Sequence, residues 1–326
     1  MDDQIISDYL YYFKKLKRGV SRGLGKAPHK PVLLLSIISL IRKQQITNNR
    51  IFITAELVLE FRDIWKKLVH TKHTENFALP YFHMRSEPFW YIVEKPGKNL
   101  ILTKSKSIKS FRNLKENVAF AEINKDLFYL LTQSHTSKIL ETALLENYFP
   151  TKYQDFWENN INLEESRIEY EIENTDSKEY REKLVALKNT LNEEQFDEEI
   201  FVRGGLFKKT VPKIYDYSCS ISGMKITSTH NVQMVDACHI YPFSLSNDDT
   251  VPNGIALSPN LHRAFDRGLI TINDNYIVRV SPSISENESV FSLSQFEGKQ
   301  IALPEKSSWY PSVEYLSWHN KEVFIL

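Results

Sequence analysis

The first 155 residues alternate between two patterns of apolar positions. Apolar residues at helical spacing predict amphipathic or buried helices, whereas short β-branched or aromatic runs predict extended segments. The predicted helices cover residues 5–16, 32–41, 55–68, 117–131 and 134–148, and the extended segments cover residues 51–53, 79–84 and 89–93. This mixture predicts a mixed α/β domain.

The pattern changes after residue 155. Residues 151–200 contain fifteen acidic residues and six basic ones, with helix-forming positions and few aromatic residues. This composition predicts an acidic helical linker over residues 156–200. The segment 201–213 is basic again and is expected to touch DNA backbone.

A third pattern, in the order strand, loop, strand and helix, begins near residue 232. The apolar run 232–240 predicts a buried strand that ends at Pro242, because proline cannot donate to a ladder. A polar loop leads to a short strand at 254–257. Ser258 and a proline at the first helical position predict a helix that ends before Gly268. Two further strands are predicted at 269–272 and 276–280, and a terminal helix at 313–324.

Three polar residues occupy the junctions of this pattern. His239 lies at the end of the first strand, Asn253 at the end of the loop, and His262 on the helix. The arrangement suits a divalent metal held between hairpin and helix, with an imidazole facing it across a scissile phosphate. Hydrolysis of a phosphodiester needs a base for water and a cation for the developing charge. Histidine suits the base role at neutral pH, typically contributing about two to four orders of magnitude in rate.

These residues resemble the HNH (ββα-metal) nuclease motif of prokaryotic restriction endonucleases. The matching elements are Cys219-x-x-x-Gly223, Ala-Cys-His-Ile at 237–240, Asn-Gly at 253–254, Leu-His at 261–262 and Phe-Asp-x-Gly-Leu-Ile at 265–270. The resemblance implies that His239 is the general base, that Asn253 pins and orients the loop, and that His262 binds a divalent metal ion, Mg²⁺ or Mn²⁺.

The expected metal ligands depart from the common motif at one position. Many HNH nucleases carry an aspartate immediately before the first histidine, and here that residue is Cys238. Asp236 lies on the same strand face and is therefore expected to be the carboxylate ligand. Asp266 follows His262 by one helical turn. It either orients the imidazole or pairs with a neighbouring arginine, Arg263 or Arg267.

Composition restricts the class of protein. The 326 residues carry 41 basic and 41 acidic side chains, and 42% are hydrophobic, which is ordinary for a globular protein. Two cysteines are too few for a disulfide framework, and no apolar run is long enough to cross a bilayer. The N-terminus lacks the basic region of a signal peptide. These features predict a cytoplasmic protein without a membrane partner.

The local charge near the N-terminus differs from the neutral average. Residues 14–30 contain seven basic residues, no acidic residue and three glycines. We expect this segment to be either a flexible loop that binds phosphate or a solvated surface loop. With Ala27-Pro28-His29-Lys30-Pro31, the turn from Pro80 to Arg85, and Tyr148-Phe149-Pro150, this segment resembles the sulfur-binding domain of restriction endonucleases that act on phosphorothioated DNA.

That resemblance implies a pocket for a sulfur that replaces a phosphate oxygen. The expected pocket residues are His29, Lys30, Leu79, Pro80 and His83, and the expected phosphate contacts are Arg18, Arg22, Lys26 and Arg85. Leu79 stands where an aromatic residue is expected.

The overall prediction is an α+β endonuclease with an N-terminal DNA-recognition domain (1–155), the acidic helical linker (156–200) and a C-terminal HNH nuclease domain (201–326). Its expected partner is double-stranded DNA, phosphorothioated or otherwise modified, and the expected assembly is a homodimer. One alternative is an HNH endonuclease directed to methylated or hydroxymethylated cytosine, or to an unmodified sequence. A second is a non-catalytic DNA-binding protein with a decayed nuclease fold.

Overall fold

The computed structural model describes residues 2–21, 23–104, 107–108, 110–151, 156, 162–228 and 233–326. The chain forms two compact units. The N-terminal unit comprises residues 1–165 and 193–202, and the C-terminal unit comprises residues 166–192 and 203–326. The domain boundaries expected after residues 155 and 200 stay a prediction. Within the described ranges, no helix has both the length and the apolar character needed to span a membrane.

The N-terminal unit has a helical core beside a small antiparallel sheet. Helix α2 is buried over almost its whole length and packs against α3, α4 and α7. Strand β5 lies between β3 and β4, and β1 pairs with β2 as a short hairpin. The elements are α1 (Asp2–Lys14), β1 (Val20–Ser21), β2 (Gly25–Lys26), α2 (His29–Arg42), β3 (Arg50–Ile51), α3 (Ala55–Leu68), α4 (Ala78–His83), β4 (Trp90–Glu94), α5 (Phe111–Asn117), β5 (Val118–Ile123), α6 (Lys125–Thr132) and α7 (Ser134–Tyr148).

Two sequence predictions in this unit were wrong. Residues 79–84 are helical, not extended: the backbone N–H of Leu79 donates to the Asn76 side chain at 2.9 Å, and Pro80 lies in the first turn, where proline is tolerated. The predicted helix 117–131 begins as strand β5 and becomes helical only from Lys125. Pairing with strands on both sides overrides the local helix propensity of Val118–Ile123.

The C-terminal unit contains the predicted strand–loop–strand–helix pattern. Strand β6 pairs with β7, and β8 pairs with β9, both antiparallel. Residue 232 of the predicted strand 232–240 lies outside the described residues. In the described part of that segment, the strand is limited to β6. The elements are α8 (Leu163–Asn174), α9 (Ser177–Thr190), α10 (Glu193–Ile214), β6 (Asp236–His239), α11 (Phe243–Ser246), β7 (Gly254–Leu257), α12 (Pro259–Asp266), β8 (Ile270–Ile272), β9 (Val278–Val280) and α13 (Val313–Glu322). The division between the units falls within α8 and within α10.

The acidic segment expected to be a linker contributes to the packed interior of the C-terminal unit. Ile172 and Tyr180 are fully buried. The buried Arg203 guanidinium pairs with Glu171 at 3.0 Å, and the Trp309 indole donates to the carbonyl of Glu173 at 3.0 Å. Residues 166–192 are therefore part of this unit's fold.

Four glutamates surround one buried arginine in the N-terminal unit. The buried Arg62 guanidinium lies 2.8–2.9 Å from carboxylates of Glu164, Glu198 and Glu199, and 3.7 Å from Glu75. Burial raises the pKa of Glu75 to about 7, against the opposing attraction of Arg62. Because the folded-state pKa exceeds the unfolded value, the Glu75 contribution to stability is greatest at acidic pH. It falls as pH rises from about 4.5 toward 7.

Replacing Glu75 by glutamine is therefore expected to leave stability unchanged near pH 5. Near pH 8 it should raise the free energy of unfolding by about 1–3 kcal/mol. Urea unfolding of the full chain at both pH values measures the difference. Glu146→Gln, at an exposed position in α7, is the matched control and should show no pH-dependent gain. Equal effects of Glu75→Gln at the two pH values would contradict the assignment of the raised pKa.

Candidate functional site

The local structure around His239 follows from strand pairing. In the β6–β7 ladder, His239 lies opposite Gly254, and Asp236 lies opposite Leu257. Side chains alternate along a strand, so Asp236 and Cys238 share one face of β6 while His239 is on the other. Helix α12, which carries His262, begins at Pro259 directly after β7. The two histidines are thus held by adjacent regular elements.

The His239 imidazole is fixed on two sides. Its Nε2 lies 2.8 Å from Oδ1 of Asp249, and its ring stacks on Phe207 with centroids 4.0 Å apart and planes 9° apart. Asp249 is almost completely buried, and burial raises the pKa of its carboxyl while the hydrogen bond from His239 lowers it. With Nε2–H donating to this carboxylate, Nδ1 carries the free lone pair.

Asn253 is buried and uses its amide within the loop. Its Oδ1 accepts from the backbone N–H of Tyr241 at 2.9 Å, and its Nδ2 donates to the carbonyls of Tyr241 and Asp248 at 2.9 and 2.8 Å. These bonds close the loop that carries Asp249. The Asn253 side chain therefore holds the backbone of this loop.

His262 lies between two carboxylates. Its Nδ1 is 3.3 Å from Oδ2 of Asp236, and its Nε2 is 3.5 Å from Oδ2 of Asp266. The Cys238 thiol donates to Oδ1 of Asp266 at 3.7 Å. Asp266 therefore faces His262, and among the residues that the structure describes no ion pair joins it to Arg263 or Arg267.

Donors lie on both sides of His262 and can hold a divalent metal ion: Asp236 at Nδ1, and Asp266 with Cys238 at Nε2. Asp236 and Asp266 are more than half exposed and His262 is partly exposed, so both carboxylates and the imidazole are accessible to an ion from solvent. Oxygen and nitrogen donors of this kind suit Mg²⁺ or Mn²⁺. Burial and the neighbouring Asp266 carboxylate raise the pKa of the Cys238 thiol well above its ordinary value.

Sequence reasoning missed two residues at this site. Asp249 was treated as part of a polar loop, although two adjacent aspartates shortly before Asn253 were a usable signal. Phe207 lies in the segment 201–213, and its ring stacks on that of His239. No local pattern indicates a stacking contact between such distant positions. His319 is buried, with its Nδ1 2.8 Å from the Thr271 hydroxyl and its Nε2 3.0 Å from the carbonyl of Phe265.

Strand β7 packs closely against helix α10 at Gly254. A Cβ at Gly254 would lie 2.6 Å from Val211 Cγ2 and 2.9 Å from Phe207 Cζ. Gly254→Ala is expected to lower the free energy of unfolding by about 1–3 kcal/mol through overpacking, and to displace Phe207 from His239. Gly204→Ala is the control, because a Cβ there meets nothing within 4 Å and alanine favours the helix by about 0.5–1 kcal/mol. Urea unfolding measures both; a Gly254→Ala protein as stable as wild type would contradict the packing.

A pocket of about 320 Å³ lies in the N-terminal unit. Of the residues predicted for DNA recognition, it is lined by Arg18, His29, Lys30, Leu79, Pro80 and His83. Lys26 is exposed in β2 outside the lining, and the Arg85 guanidinium lies 3.9 Å over the Phe82 ring. Arg22 lies outside the described residues.

His29, His83 and the paired Lys30 add little net charge to this pocket, although Arg18 and Lys17 also line it. Lys30 is buried and pairs with the buried carboxylate of Glu87. Burial lowers the pKa of His29 to about 4, and it also lowers the pKa of His83. The His29 Nε2 bonds the carbonyl of Thr74 at 2.9 Å. The pocket interior thus combines uncharged imidazoles with leucine and proline edges.

Comparison with known proteins identifies the domain around His239. Residues 219–273 match the family model HNH_2, described as HNH endonuclease. A comparison with curated proteins found no match. Two solved structures are similar to the chain. The "Modification dependent TagI restriction endonuclease" is 18% identical, over 36% of this chain and 37% of that chain, with a TM-score of 0.29. The "Type IV phosphorothioation-dependent restriction endonuclease ScoMcrA" is 11% identical, over 78% of this chain and 93% of that chain, with a TM-score of 0.34.

Proposed function

We propose that the protein, whose residues 219–273 form an HNH endonuclease domain, is a modification-dependent DNA endonuclease. In this proposal the pocket of the N-terminal unit binds a phosphorothioate in double-stranded DNA, and the C-terminal unit hydrolyses a phosphodiester bond. The contact between His239 and the buried Asp249 supports the catalytic part. The neutral interior of the pocket supports the recognition part.

His239 is the general base in this proposal. Its Nδ1 takes the proton of the attacking water, while Asp249 holds the ring through Nε2 and stabilises the imidazolium that forms. Phe207 limits rotation of the ring by stacking on it. Asn253 acts through the loop, as a positioning residue for Asp249.

His262 and Asp236 would hold Mg²⁺ or Mn²⁺ on the Nδ1 side of the ring. A divalent ion bound there would supply Lewis-acid stabilisation of the charge that develops on the phosphate and on the leaving oxygen. Asp266 faces Nε2 and orients the His262 ring from the other side. His239, Asn253 and His262 are all present, which argues against a decayed nuclease.

The neutral pocket favours sulfur over oxygen. A non-bridging phosphate oxygen is a strongly hydrated acceptor, and burying it among neutral groups is costly. Sulfur is larger, more polarisable and less hydrated than oxygen. Burying it against Pro80, Leu79 and uncharged imidazoles therefore costs less free energy than burying an oxygen there. Arg18 and Lys17 line the same pocket and can hold the remaining phosphate charge. The pocket volume also reaches the range of small-molecule sites, so a flipped modified cytosine is the second candidate ligand.

Binding by the full-length chain tests the recognition proposal. The His239→Ala variant, with a chelator present so that no cleavage occurs, is titrated with one duplex in two forms, with and without a single stereodefined phosphorothioate, at fixed salt. We expect at least a tenfold preference for the modified duplex, about 1.4 kcal/mol. Pro80→Glu should abolish the preference by placing a carboxylate in the pocket. Pro96→Glu, at an exposed turn, is the matched control and should retain it.

Equal affinity for the two duplexes would reject phosphorothioate reading. The same titration with duplexes that carry methylated or hydroxymethylated cytosine then tests the second candidate. Cleavage of both strands from one active site per chain needs either two sequential events or a homodimer, and we propose the homodimer. Sedimentation on DNA should give two chains per complex; a single chain per complex would reject it.

A further inference from the structure

Two adjacent carboxylates, Asp248 and Asp249, are buried beside His239. Asp248 is stabilised by two donors, the Tyr315 hydroxyl and the Thr250 backbone N–H, each at 2.8 Å. Among the residues that the structure describes, the Asp249 side chain makes one hydrogen bond, to Nε2 of His239 at 2.8 Å. A neutral imidazole adds no charge, and a buried carboxylate is costly unless a positive charge lies near it. The ionised form of Asp249 therefore depends on a cation in the interior of this unit.

Arg203 supplies a buried positive charge in the C-terminal unit. Its side chain is 1% exposed, so its guanidinium acts inside the protein and not on DNA phosphates. It precedes Phe207 by one turn of α10, so the two side chains lie on one face of the helix, and the Phe207 ring stacks on His239. Burial raises the pKa of the Asp249 carboxyl, and the positive charge of Arg203 lowers it. Arg203 therefore favours the ionised carboxylate.

Two residues of the acidic segment 166–192 contact the Arg203 side chain. The Glu171 carboxylate in α8 is shared by two arginines: Oε2 lies 3.0 Å from Arg203 Nη1, and Oε1 lies 2.7 Å from Nη1 of the exposed Arg167. The fully buried ring of Tyr180 in α9 has its centroid 5.6 Å from the Arg203 guanidinium. Burial and the charge of Asp249 raise the pKa of the Tyr180 phenol, whereas Arg203 lowers it, so Tyr180 lies close to both charges.

We propose that Arg203 is a positioning residue for DNA hydrolysis, whose buried charge keeps Asp249 as the carboxylate that accepts from Nε2 of His239. A neutral carboxyl can donate its own proton to Nε2, which would put the imidazole proton on Nδ1 and block the base. The charge interaction between Arg203 and Asp249 belongs to the fold, and the catalytic part of the proposal rests on the proposed function. Glu171 and Tyr180 act through Arg203, so helices α8 and α9 contribute to the nuclease site.

A double-mutant cycle in the full-length protein tests this role. Arg203→Met removes the charge and keeps a long aliphatic side chain. We expect it to lower the single-turnover cleavage rate at saturating DNA by about tenfold or more, with no change in the DNA concentration that gives half the maximal rate. Arg203→Lys, which restores the charge, should recover most of the loss. In the Asp249→Asn background, Arg203→Met should change the rate by less than about twofold, because a neutral amide needs no cation.

Arg167→Met is the matched control, since it removes the exposed arginine from the same glutamate and should leave the cleavage rate unchanged. If Arg203→Met does not fold, Arg203→Met with Glu171→Gln takes its place in the cycle, because it neutralises both members of the buried pair. Equal rate losses in the wild-type and Asp249→Asn backgrounds would overturn the proposal, since an arginine that only stabilises the fold acts alike in both.

Urea unfolding of the same four proteins separates this proposal from the proposed function. Arg203→Met should lower the urea midpoint of the wild type more than that of Asp249→Asn, whether or not the protein cuts DNA. Such coupling in a protein that cuts no DNA would support the charge interaction and reject the proposed function. Additive midpoint shifts would overturn the charge interaction even if DNA is cut.

Discussion

His239→Ala is expected to slow single-turnover DNA cleavage by about 100- to 10,000-fold, because it removes the base that deprotonates water. Affinity for DNA should not change, since the substitution leaves the pocket of the N-terminal unit intact. Cleavage of a supercoiled substrate with Mn²⁺ measures the rate, and gel-shift titration in chelator measures binding. His135→Ala, at an exposed position in α7, is the control and should cleave at the wild-type rate.

A His239→Ala protein that cleaves within a factor of a few of wild type would remove His239 from the base role. Loss of DNA binding along with cleavage would point to a structural role for the ring, through its stack on Phe207. The predicted pattern is loss of cleavage with binding retained.

Asp249→Asn is expected to lower the cleavage rate by about 100-fold or more. A neutral amide in place of the carboxylate can donate to His239 Nε2, which forces the proton onto Nδ1 and blocks the nitrogen that accepts the proton of water. A comparable change of tautomer costs about 10,000-fold in serine proteases. The substitution also removes the negative charge that stabilises the imidazolium formed when His239 accepts the proton of water.

The neighbouring carboxylate supplies a control for Asp249→Asn. Asp248 is equally buried, but it accepts from the Tyr315 hydroxyl and the Thr250 backbone N–H at 2.8 Å and does not bond His239. Asp248→Asn should change the unfolding midpoint while leaving the cleavage rate and its pH profile close to wild type. Equal rate losses in the two variants would indicate that Asp249 only stabilises the loop.

The sequence predicted the nuclease hairpin and helix well because their signals are local. Strand β7 and helix α12 have the bounds expected from the short apolar run at 254–257 and from Ser258-Pro259. Gly268 follows the helix with a φ of 67°, the conformation that glycine adopts most easily. Strand β5 was mistaken for a helix because its conformation is decided by the two strands that flank it.

The residues of the candidate sites also fall into two groups, those that local sequence predicts and those that only the tertiary fold brings together. The positions of His239, Asn253 and His262 follow from motif and spacing, whereas Asp249 and Phe207 reach His239 only through the tertiary fold. In the pocket of the N-terminal unit, part of the lining was predicted, but the charge of the lining was not. Lys30 was predicted as a pocket residue, and the structure pairs it with a buried glutamate that lies far from it in sequence, Glu87. Burial likewise makes His29 neutral, which no sequence pattern indicates.

Modification-dependent cleavage is tested with the full-length protein, Mn²⁺ and one plasmid prepared in two forms, with and without phosphorothioate linkages. We expect the modified plasmid to be nicked or cut at least tenfold faster than the unmodified one, and a chelator or His239→Ala to abolish the difference. Cleavage of both plasmids at the same rate, or of neither, would contradict it.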